Sequence, residues 1–287
     1  MKDRSMTTYT CFNVETKDKV AHIQLKRPDV FNSMNRAFWN ELPEIVNQIN
    51  DEAAARAIVI SSTGKHFSAG MDLSVFTDGQ GITGGATREA ARARLGIRGE
   101  AARLQRSFSC LDEARMPVLL AVQGGCIGGA VDLSTCADIR YATKDAFFVI
   151  QEINLAMTAD VGTFPRLCHL LPQGLVRELA YSGRRLSAKK AYDLGFVNEL
   201  FDSQEQMLDH VLTLGGEIAT KSPLAVHGSK VMINYARDHS IADGLDYIAT
   251  WQAGMFSANI DMAESFKAKQ EKRAAVYEDL PKIRKAM

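Results

Sequence analysis

The chain has 287 residues, and its 34 lysines and arginines balance its 34 aspartates and glutamates, so the formal net charge is zero. A neutral chain is a poor candidate for binding nucleic acid through a general basic field. The fractions of hydrophobic residues (46%) and charged residues (24%) exclude gross disorder, and the length allows a large core without disulfide or metal.

The first half of the chain alternates short strands with helices. Apolar and β-branched runs predict strands at residues 20–25, 57–61, 118–122, 139–142 and 147–150. Residues 36–50 lie between the first two strands, and their apolar positions follow the spacing of a helix. A strand, a helix and a strand in this order imply crossover connections. We therefore predict an α/β fold whose sheet is at least partly parallel.

A loop and a long helix are predicted next. Residues 78–86 contain four glycines in nine positions, which is typical of a mobile loop. Residues 87–115 are rich in alanine and arginine and predict a helix. A flexible loop and a helix beside a site can act as a lid.

The strand signals stop after about residue 201. Helical periodicity then occupies four segments, at residues 206–220, 223–238, 241–256 and 261–277. We therefore predict two regions, an α/β core over residues 1–200 and a helical region over residues 201–287. A helical region that cannot build its own core packs on the main core or on another subunit, so oligomerisation is expected.

Two glycine-bearing segments give the first indication of chemistry. Residues 65–72 (KHFSAGMD) and 124–132 (GGCIGGAVD) each follow a predicted strand, at the end where α/β sheets place their ligands. Their spacing fits neither a dinucleotide fingerprint nor a phosphate-binding loop. Two converging turns suit an oxyanion hole, in which one N–H of each turn points at a carbonyl oxygen. The alternative is that both are tight turns needed only for packing.

Three carboxylates lie close to the second turn in sequence, namely Asp132, Glu152 and Asp160. Proton transfer at carbon needs one group that removes a proton and another that returns it. Apolar neighbours would raise the pKa values of these groups towards neutral pH. Each has a structural alternative: Asp132 as a solvated helix residue, Glu152 as a charge at a strand end, and Asp160 as a helix N-cap.

Metal sites and catalytic nucleophiles are not indicated. The six histidines show no metal-ligand spacing, and Ser68 lies in F-S-A-G rather than in a nucleophile elbow. Five cysteines without a C-x-x-C pair predict neither a disulfide framework nor a zinc site. No apolar stretch approaches the ~20 residues of a membrane span. Because no signal, transit or peroxisomal address is evident, we predict a cytoplasmic protein.

Several motifs in the same order along the chain resemble those of a known family. They are LKRP at 25–28 with NSMN at 32–35, FSAGMD at 67–72, GGCIGGAVD at 124–132, ADIRY at 137–141 and the segment 261–273. From about Thr10 to Tyr277 the chain resembles the enoyl-CoA hydratase/isomerase (crotonase) superfamily. The resemblance implies a spiral of ββα units followed by C-terminal helices that build trimers, often paired into hexamers.

Within that superfamily the chain most resembles the Δ3,5-Δ2,4-dienoyl-CoA isomerases. The likeness lies in residues 124–133, in DAFF at 145–148 and in ADVGT at 159–163. Simple hydratases typically carry Glu at the place of Asp132 and Gly at the place of Asp160. This chain has Asp at both places, as the isomerases do. The pattern favours a catalytic role for Asp160, which can coexist with a role as helix cap.

The resemblance implies a role for each candidate residue. It places oxyanion-hole N–H groups on Met71 and Gly129. It makes Glu152 and Asp160 the pair that transfers protons beside the acyl chain, with Asp132 as a third acid nearby.

The implied substrate is an acyl-CoA thioester, and no cofactor is implied beyond the coenzyme A of that substrate. Substrate contacts are expected from the first glycine turn, at Ser68, Ala69, Gly70 and Asp72. The implied reaction shifts the double bonds of a 3,5-dienoyl-CoA into conjugation during β-oxidation of unsaturated fatty acids. Two alternatives stay open: a 2-enoyl-CoA hydratase that uses Asp132 and Glu152 to position water, and a protein that binds acyl-CoA without chemistry.

Overall fold

Two sheets form the centre of the protein, whose computed structural model describes residues 8–77, 89–256 and 259–283. The strands are β1 Phe12–Lys17, β2 Val20–Leu25, β3 Ala57–Ser62, β4 Val118–Val122, β5 Gly125–Ile127, β6 Ile139–Thr143, β7 Phe147–Val149, β8 Leu186–Ser187 and β9 Glu199–Phe201. The larger sheet has the order β1-β2-β3-β4-β6-β9, and only β1 is antiparallel to its neighbour. The smaller sheet has the order β5-β7-β8, with β5 parallel to β7.

Helices connect and cover these strands. They are α1 Arg36–Asp51, α2 Ser74–Thr77, α3 Ala90–Glu113, α4 Gly129–Thr135, α5 Thr163–Leu170, α6 Gln173–Ser182, α7 Ala188–Asp193, α8 Gln204–Ala219, α9 Pro223–Asp238, α10 Ile241–Met255 and α11 Asp261–Glu271. None of the described helices is long and apolar enough to cross a membrane. The predicted glycine-rich loop at residues 78–86 lies outside the described residues.

Helix α1 illustrates how the sequence produces these elements. Asn35 caps its N-terminus, because the side-chain oxygen accepts the N–H of Phe38 at 3.0 Å. The apolar residues follow helical spacing and are buried, namely Phe38, Trp39, Leu42, Ile45, Val46 and Ile49. This face packs in the main core, where α1 also contacts α3.

The larger sheet is covered on both faces. On β3, Ile58 and Ile60 belong to the main core, whereas Ala57 and Val59 belong to a second core on the opposite face. The second core contains Met207 of α8. Successive strand residues point to opposite faces, which explains why every residue of β3 is buried. The first helix after residue 201 thus packs on the sheet itself, and the division of the chain at residue 200 stays a prediction.

The last described residues run back across the core. The predicted helix at 261–277 ends earlier, at Glu271, because Lys272 adopts a left-handed conformation (φ 54°). Beyond it, Arg56 donates to the Tyr277 carbonyl at 2.6 Å and pairs with Asp279 at 2.8 Å. Lys19 also pairs with Asp279, at 2.6 Å. This segment, residues 272–283, is called the C-terminal strap below.

A buried lysine joins α9 to the core. Lys230 is 6% exposed, and its Nζ donates to the carbonyls of Leu111 and Met116 at 2.9 and 3.1 Å. The same nitrogen lies 2.9 Å from Oδ2 of Asp138. Three acceptors around one ammonium satisfy all of its donors.

Replacing Lys230 by Met is expected to lower the free energy of unfolding by about 2–4 kcal/mol, because two buried carbonyls lose their donor and the Asp138 carboxylate loses its cation. Urea unfolding measures the effect. Lys144→Met is the matched control, because its ion pair with Asp202 has a similar N–O distance of 2.6 Å but both side chains are exposed. The control should lose less than about 1 kcal/mol. Equal losses in both variants would contradict the assignment.

Candidate active site

A cavity of about 710 Å³ opens between α3, the two glycine turns and residues 151–161. Its wall is mainly apolar, with Trp39, Ala69, Met71, Leu73, Ile97, Ala101, Leu104, Ile127, Leu155, Met157 and Val161. The candidate carboxylates Asp132, Glu152 and Asp160 all line it. A mainly apolar cavity with a few convergent polar groups is typical of a small-molecule site.

The first glycine turn is fixed by backbone pairing with the second. Ser68 donates its N–H to the Gly125 carbonyl at 3.1 Å and accepts the N–H of Ile127 at 3.1 Å. The hydroxyl of Ser68 donates to the Asn32 carbonyl at 2.8 Å and accepts the N–H of Gly70 at 3.1 Å. Ser68 is fully buried, and its hydroxyl stabilises the backbone of the turn.

The four predicted substrate contacts divide into two groups. Ala69 and Asp72 line the cavity, whereas Ser68 and Gly70 are not among its lining residues. The Asp72 carboxylate accepts hydrogen bonds from the side chains of Ser74 and Ser33, at 2.7 and 2.9 Å. These bonds, led by that of Ser74, lower the pKa of Asp72 from its usual value.

Gly70 allows the two turns to meet. Its φ is +80°, and a Cβ there would lie only 2.4 Å from the Ile127 carbonyl oxygen and 3.2 Å from the Gly129 nitrogen. Only a residue without a side chain fits this backbone conformation and this contact. The two predicted turns therefore converge, as expected for segments that follow the neighbouring parallel strands β3 and β4.

Two N–H groups are available at this meeting point. Met34 donates its N–H to Gly70 and accepts the N–H of Asp72, so the N–H of Met71 between them faces the opposite side. Gly129 is the first residue of α4, where an N–H has no acceptor within its own helix. Both Met71 and Gly129 line the cavity. Two such donors can bind one carbonyl oxygen.

Asp132 is buried and holds the start of α5. Its Oδ1 accepts the N–H and the hydroxyl of Thr163, at 2.7 and 2.8 Å. Its Oδ2 is buried and has no hydrogen-bond partner among the described residues. Burial raises the pKa of Asp132 to about 6, against the opposing effect of Thr163. The interpretation of Asp132 as a solvated helix residue is therefore wrong.

Glu152 begins a short 3-10 helix, Glu152–Leu155, just beyond β7. Its Oε1 lies over the second turn, 3.3 Å from where a Cβ of Gly128 would be, and its Oε2 has no partner in the described part of the chain. Burial raises the pKa of Glu152 to about 7, and the charges of Asp132 and Asp160 add to this effect. Near neutral pH this carboxyl can therefore both accept and donate a proton.

Asp160 is exposed at the cavity, and its backbone carbonyl accepts Nε2 of Gln105 from α3 at 2.7 Å. It does not cap α5. The residue before that helix is Gly162, and the N–H of Thr163 bonds to Asp132 instead. The interpretation of Asp160 as an N-cap is wrong because a residue from another helix takes that place.

Trp39 is a lining residue that the sequence did not single out. Its Nε1 donates to the Met34 carbonyl at 3.2 Å, which fixes the indole. The ring lies 3.7 Å from where a Cβ of Gly129 would be. In the sequence it fits the apolar periodicity of α1, so only its position in the fold distinguishes it from the core residues around it.

Comparisons with known proteins agree with these observations. The family described as Enoyl-CoA hydratase/isomerase matches residues 15–280. The chain is 41% identical over 267 residues to the mitochondrial Delta(3,5)-Delta(2,4)-dienoyl-CoA isomerase of Mus musculus, covering 92% of this chain and 81% of that protein. It is 35% identical to the peroxisomal enzyme of that name from Arabidopsis thaliana, covering 95% and 98%.

A solved structure is similar over the whole fold. The enoyl-CoA hydratase of Bacillus anthracis superposes with a TM-score of 0.82 at 26% identity, covering 94% of this chain and 100% of that one. This similarity confirms the predicted fold class. The predicted cytoplasmic location is contradicted, because the relatives named above are mitochondrial and peroxisomal. The error arose because the lack of a recognisable address does not determine a compartment.

Proposed function

Because the chain belongs to the enoyl-CoA hydratase/isomerase family, we propose that it is an isomerase that converts a 3,5-dienoyl-CoA to the conjugated 2,4-dienoyl-CoA. The observation that carries the proposal is the set of three carboxylates around one apolar cavity, Asp132, Glu152 and Asp160. Proteins bearing the name of this activity are 35–41% identical over more than nine-tenths of the chain.

The reaction begins at the thioester carbonyl. The N–H groups of Met71 and Gly129 bind its oxygen, where negative charge develops when C2 loses a proton. One of Glu152 and Asp160 removes the proton at C2, and the other delivers a proton at C6. The double bonds move from positions 3 and 5 to positions 2 and 4, and no proton is gained or lost overall.

The raised pKa of Glu152 supports this proposal. A carboxyl with a pKa of about 7 exchanges protons with carbon more readily near neutral pH than one with an ordinary value. Asp132 contributes to that pKa through its charge, and it holds the start of α5, close to Asp160 in sequence. The transfer needs no redox partner, so no cofactor is proposed beyond the coenzyme A of the substrate.

The proposed substrate and product suit the β-oxidation of unsaturated fatty acids, where double bonds must be brought into conjugation with the thioester, and we propose this pathway for the reaction. Trimers or hexamers stay a prediction. Large exposed apolar side chains on the C-terminal helices favour contacts between copies, among them Ile233, Ile241, Leu245 and Phe266.

A 2-enoyl-CoA hydratase is the second candidate. Asp132 Oδ2 and Glu152 Oε2 are both buried, and neither has a partner among the described residues. Two such acceptors can hold a water molecule for addition to a double bond. The exposed Asp160 would then have no chemical role.

Ultraviolet absorbance distinguishes these functions. Purified protein acting on 3,5-octadienoyl-CoA is expected to produce the conjugated dienoyl band, with crotonyl-CoA tested in parallel. Asp160→Asn is expected to slow growth of the band at least about tenfold, because it removes one of the two proton-transferring groups. Asp202→Asn, at an exposed ion pair, is the control and should keep full turnover.

Full turnover by Asp160→Asn would overturn the proposal. Hydration of crotonyl-CoA without any diene isomerisation would establish the hydratase. Binding of both thioesters without turnover of either would leave a protein that binds acyl-CoA and performs no chemistry.

A further inference from the structure

We propose that His66 is a positioning residue, whose neutral imidazole holds the two glycine turns in register. The inference rests on the proposed function, because it assumes that Met71 and Gly129 together bind the thioester oxygen. His66 does not line the cavity, so any effect on the reaction passes through the backbone of the turns.

The imidazole is bonded to the start of β5. Its Nδ1 accepts the N–H of Gly125 at 2.9 Å. Gly124 makes this approach possible, because its φ is +55° and a Cβ there would lie 2.7 Å from Nδ1 and 2.2 Å from the Lys65 carbonyl oxygen. The two glycine turns thus contact each other at two places. His66 bonds the start of the second turn, and Gly70 lies against Gly129 further along it.

Packing fixes the ring of His66. Its centroid lies 5.6 Å from that of Phe31 and 6.3 Å from that of Phe147. The guanidinium of Arg185 lies over the Phe147 ring at 4.1 Å. The backbone is fixed as well, since the His66 carbonyl accepts the Asn32 amide at 3.2 Å. These contacts favour the ring orientation in which Nδ1 faces Gly125.

This bond determines the tautomer. A backbone N–H only donates, so Nδ1 must be unprotonated and the ring proton must lie on Nε2. An imidazolium carries protons on both nitrogens and cannot accept the Gly125 N–H. Loss of the acceptor would leave that N–H, at the first residue of β5, without its partner.

The bond matters for the reaction because β5 leads directly to Gly129. Gly129 is four positions after Gly125, and β5 also pairs with Ser68, three positions before Met71. If β5 shifts against the first turn, the two N–H donors move apart. A displacement of about 1 Å in a catalytic arrangement can cost as much as 10²-fold in rate.

Two substitutions distinguish the effect of losing the hydrogen-bond acceptor from the effect of losing the imidazole ring. His66→Asn keeps an oxygen near the position of Nδ1, whereas His66→Leu removes the acceptor. We expect His66→Leu to lower kcat for 3,5-octadienoyl-CoA about tenfold with KM within about threefold, and His66→Asn to restore most of kcat. His22→Leu is the control, because His22 is half-buried and bonds Ser61 at 2.7 Å within the sheet. The control should leave kcat unchanged.

A direct measurement is the carbonyl stretch of bound 2,4-octadienoyl-CoA in difference infrared spectra. Binding to the wild type or to His66→Asn is expected to lower the carbonyl frequency relative to the free thioester. Binding to His66→Leu is expected to lower it less. A wild-type shift in His66→Leu would overturn the inference, and so would equal impairment of the Asn and Leu variants. No shift in the wild type would also overturn it. A shift in the wild type without turnover would refute the isomerase alone, and the comparison of variants would still test His66.

Discussion

Replacing Glu152 by Gln is expected to lower turnover of a 3,5-dienoyl-CoA by a factor of about 10²–10⁴, the usual contribution of a positioned general acid or base. Glutamine keeps the size of the side chain over Gly128 but cannot exchange a proton. The affinity for the 2,4-dienoyl-CoA product should change little, since the carboxylate is needed for proton transfer. Initial rates and equilibrium binding measure the two quantities.

The same variant is expected to be more stable at neutral pH. The pKa of Glu152 is raised from 4.5 to about 7 on folding, mainly by burial, so the folded protein binds this proton more tightly than the unfolded chain. The stability that comes from the neutral carboxyl is fully present below the unfolded value and is lost as the pH rises through about 7. At pH 8, Glu152→Gln should therefore gain roughly 1–3 kcal/mol of unfolding free energy, and at about pH 4.5 little.

Urea unfolding at both pH values tests this sign. Glu205→Gln, on the exposed start of α8, is the control and should change neither turnover nor the pH dependence. A gain that is the same at both pH values would contradict burial of the charge as its cause. Retention of turnover would remove Glu152 from the mechanism.

Replacing Gly70 by Ala is expected to lower kcat by about 10²–10³, comparable to the loss of an oxyanion-hole donor. The new Cβ would lie 2.4 Å from the Ile127 carbonyl oxygen, which is backbone and cannot rotate away as a side chain can. The turns must then separate. The effect is read from kcat on 3,5-octadienoyl-CoA together with thermal unfolding.

Gly195→Ala is a matched control for Gly70→Ala. Its φ of +79° nearly equals the +80° of Gly70, but among the described residues no atom beyond its own chain neighbours lies within 4 Å of the added Cβ. Both variants carry the same backbone strain, so the difference between them isolates the contact between the turns. If both lose the same activity, the meeting of the turns has no catalytic importance.

Five of the nine described strands, and the convergence of the glycine turns, could be predicted from the sequence. The predicted strands at 20–25 and 118–122 have the bounds observed for β2 and β4, because each is a short run rich in apolar and β-branched residues bounded by proline or polar residues. The turns could be expected to meet because they follow strands of the same direction. The spacing of apolar residues predicts these strands, and the position of each turn directly after a strand predicts where the turns meet.

The contacts of the carboxylates could not be predicted in this way. Asp160 stands where a helix cap is expected, yet the N–H of Thr163 bonds to Asp132, 31 residues earlier in the chain. Local preference is overridden because the N-terminus of α5 packs against α4. The bond from Gly125 to His66 spans 59 residues and likewise depends on how β3 and β4 are aligned.

The C-terminal strap has a consequence for the order of folding. Lys19 and Asp279 are 260 positions apart, and Arg56 and Tyr277 are 221 apart. A chain that leaves the ribosome from its N-terminus exposes β1 and β2 long before these partners exist. Closing such a long loop costs only about 0.6 kcal/mol more than closing one of half its length. The contacts of Lys19 and Arg56 with the strap therefore form late because the strap is synthesised late, and the cost of closing the loop adds little. β1 and β2 are thus synthesised well before the C-terminal strap and complete their contacts late.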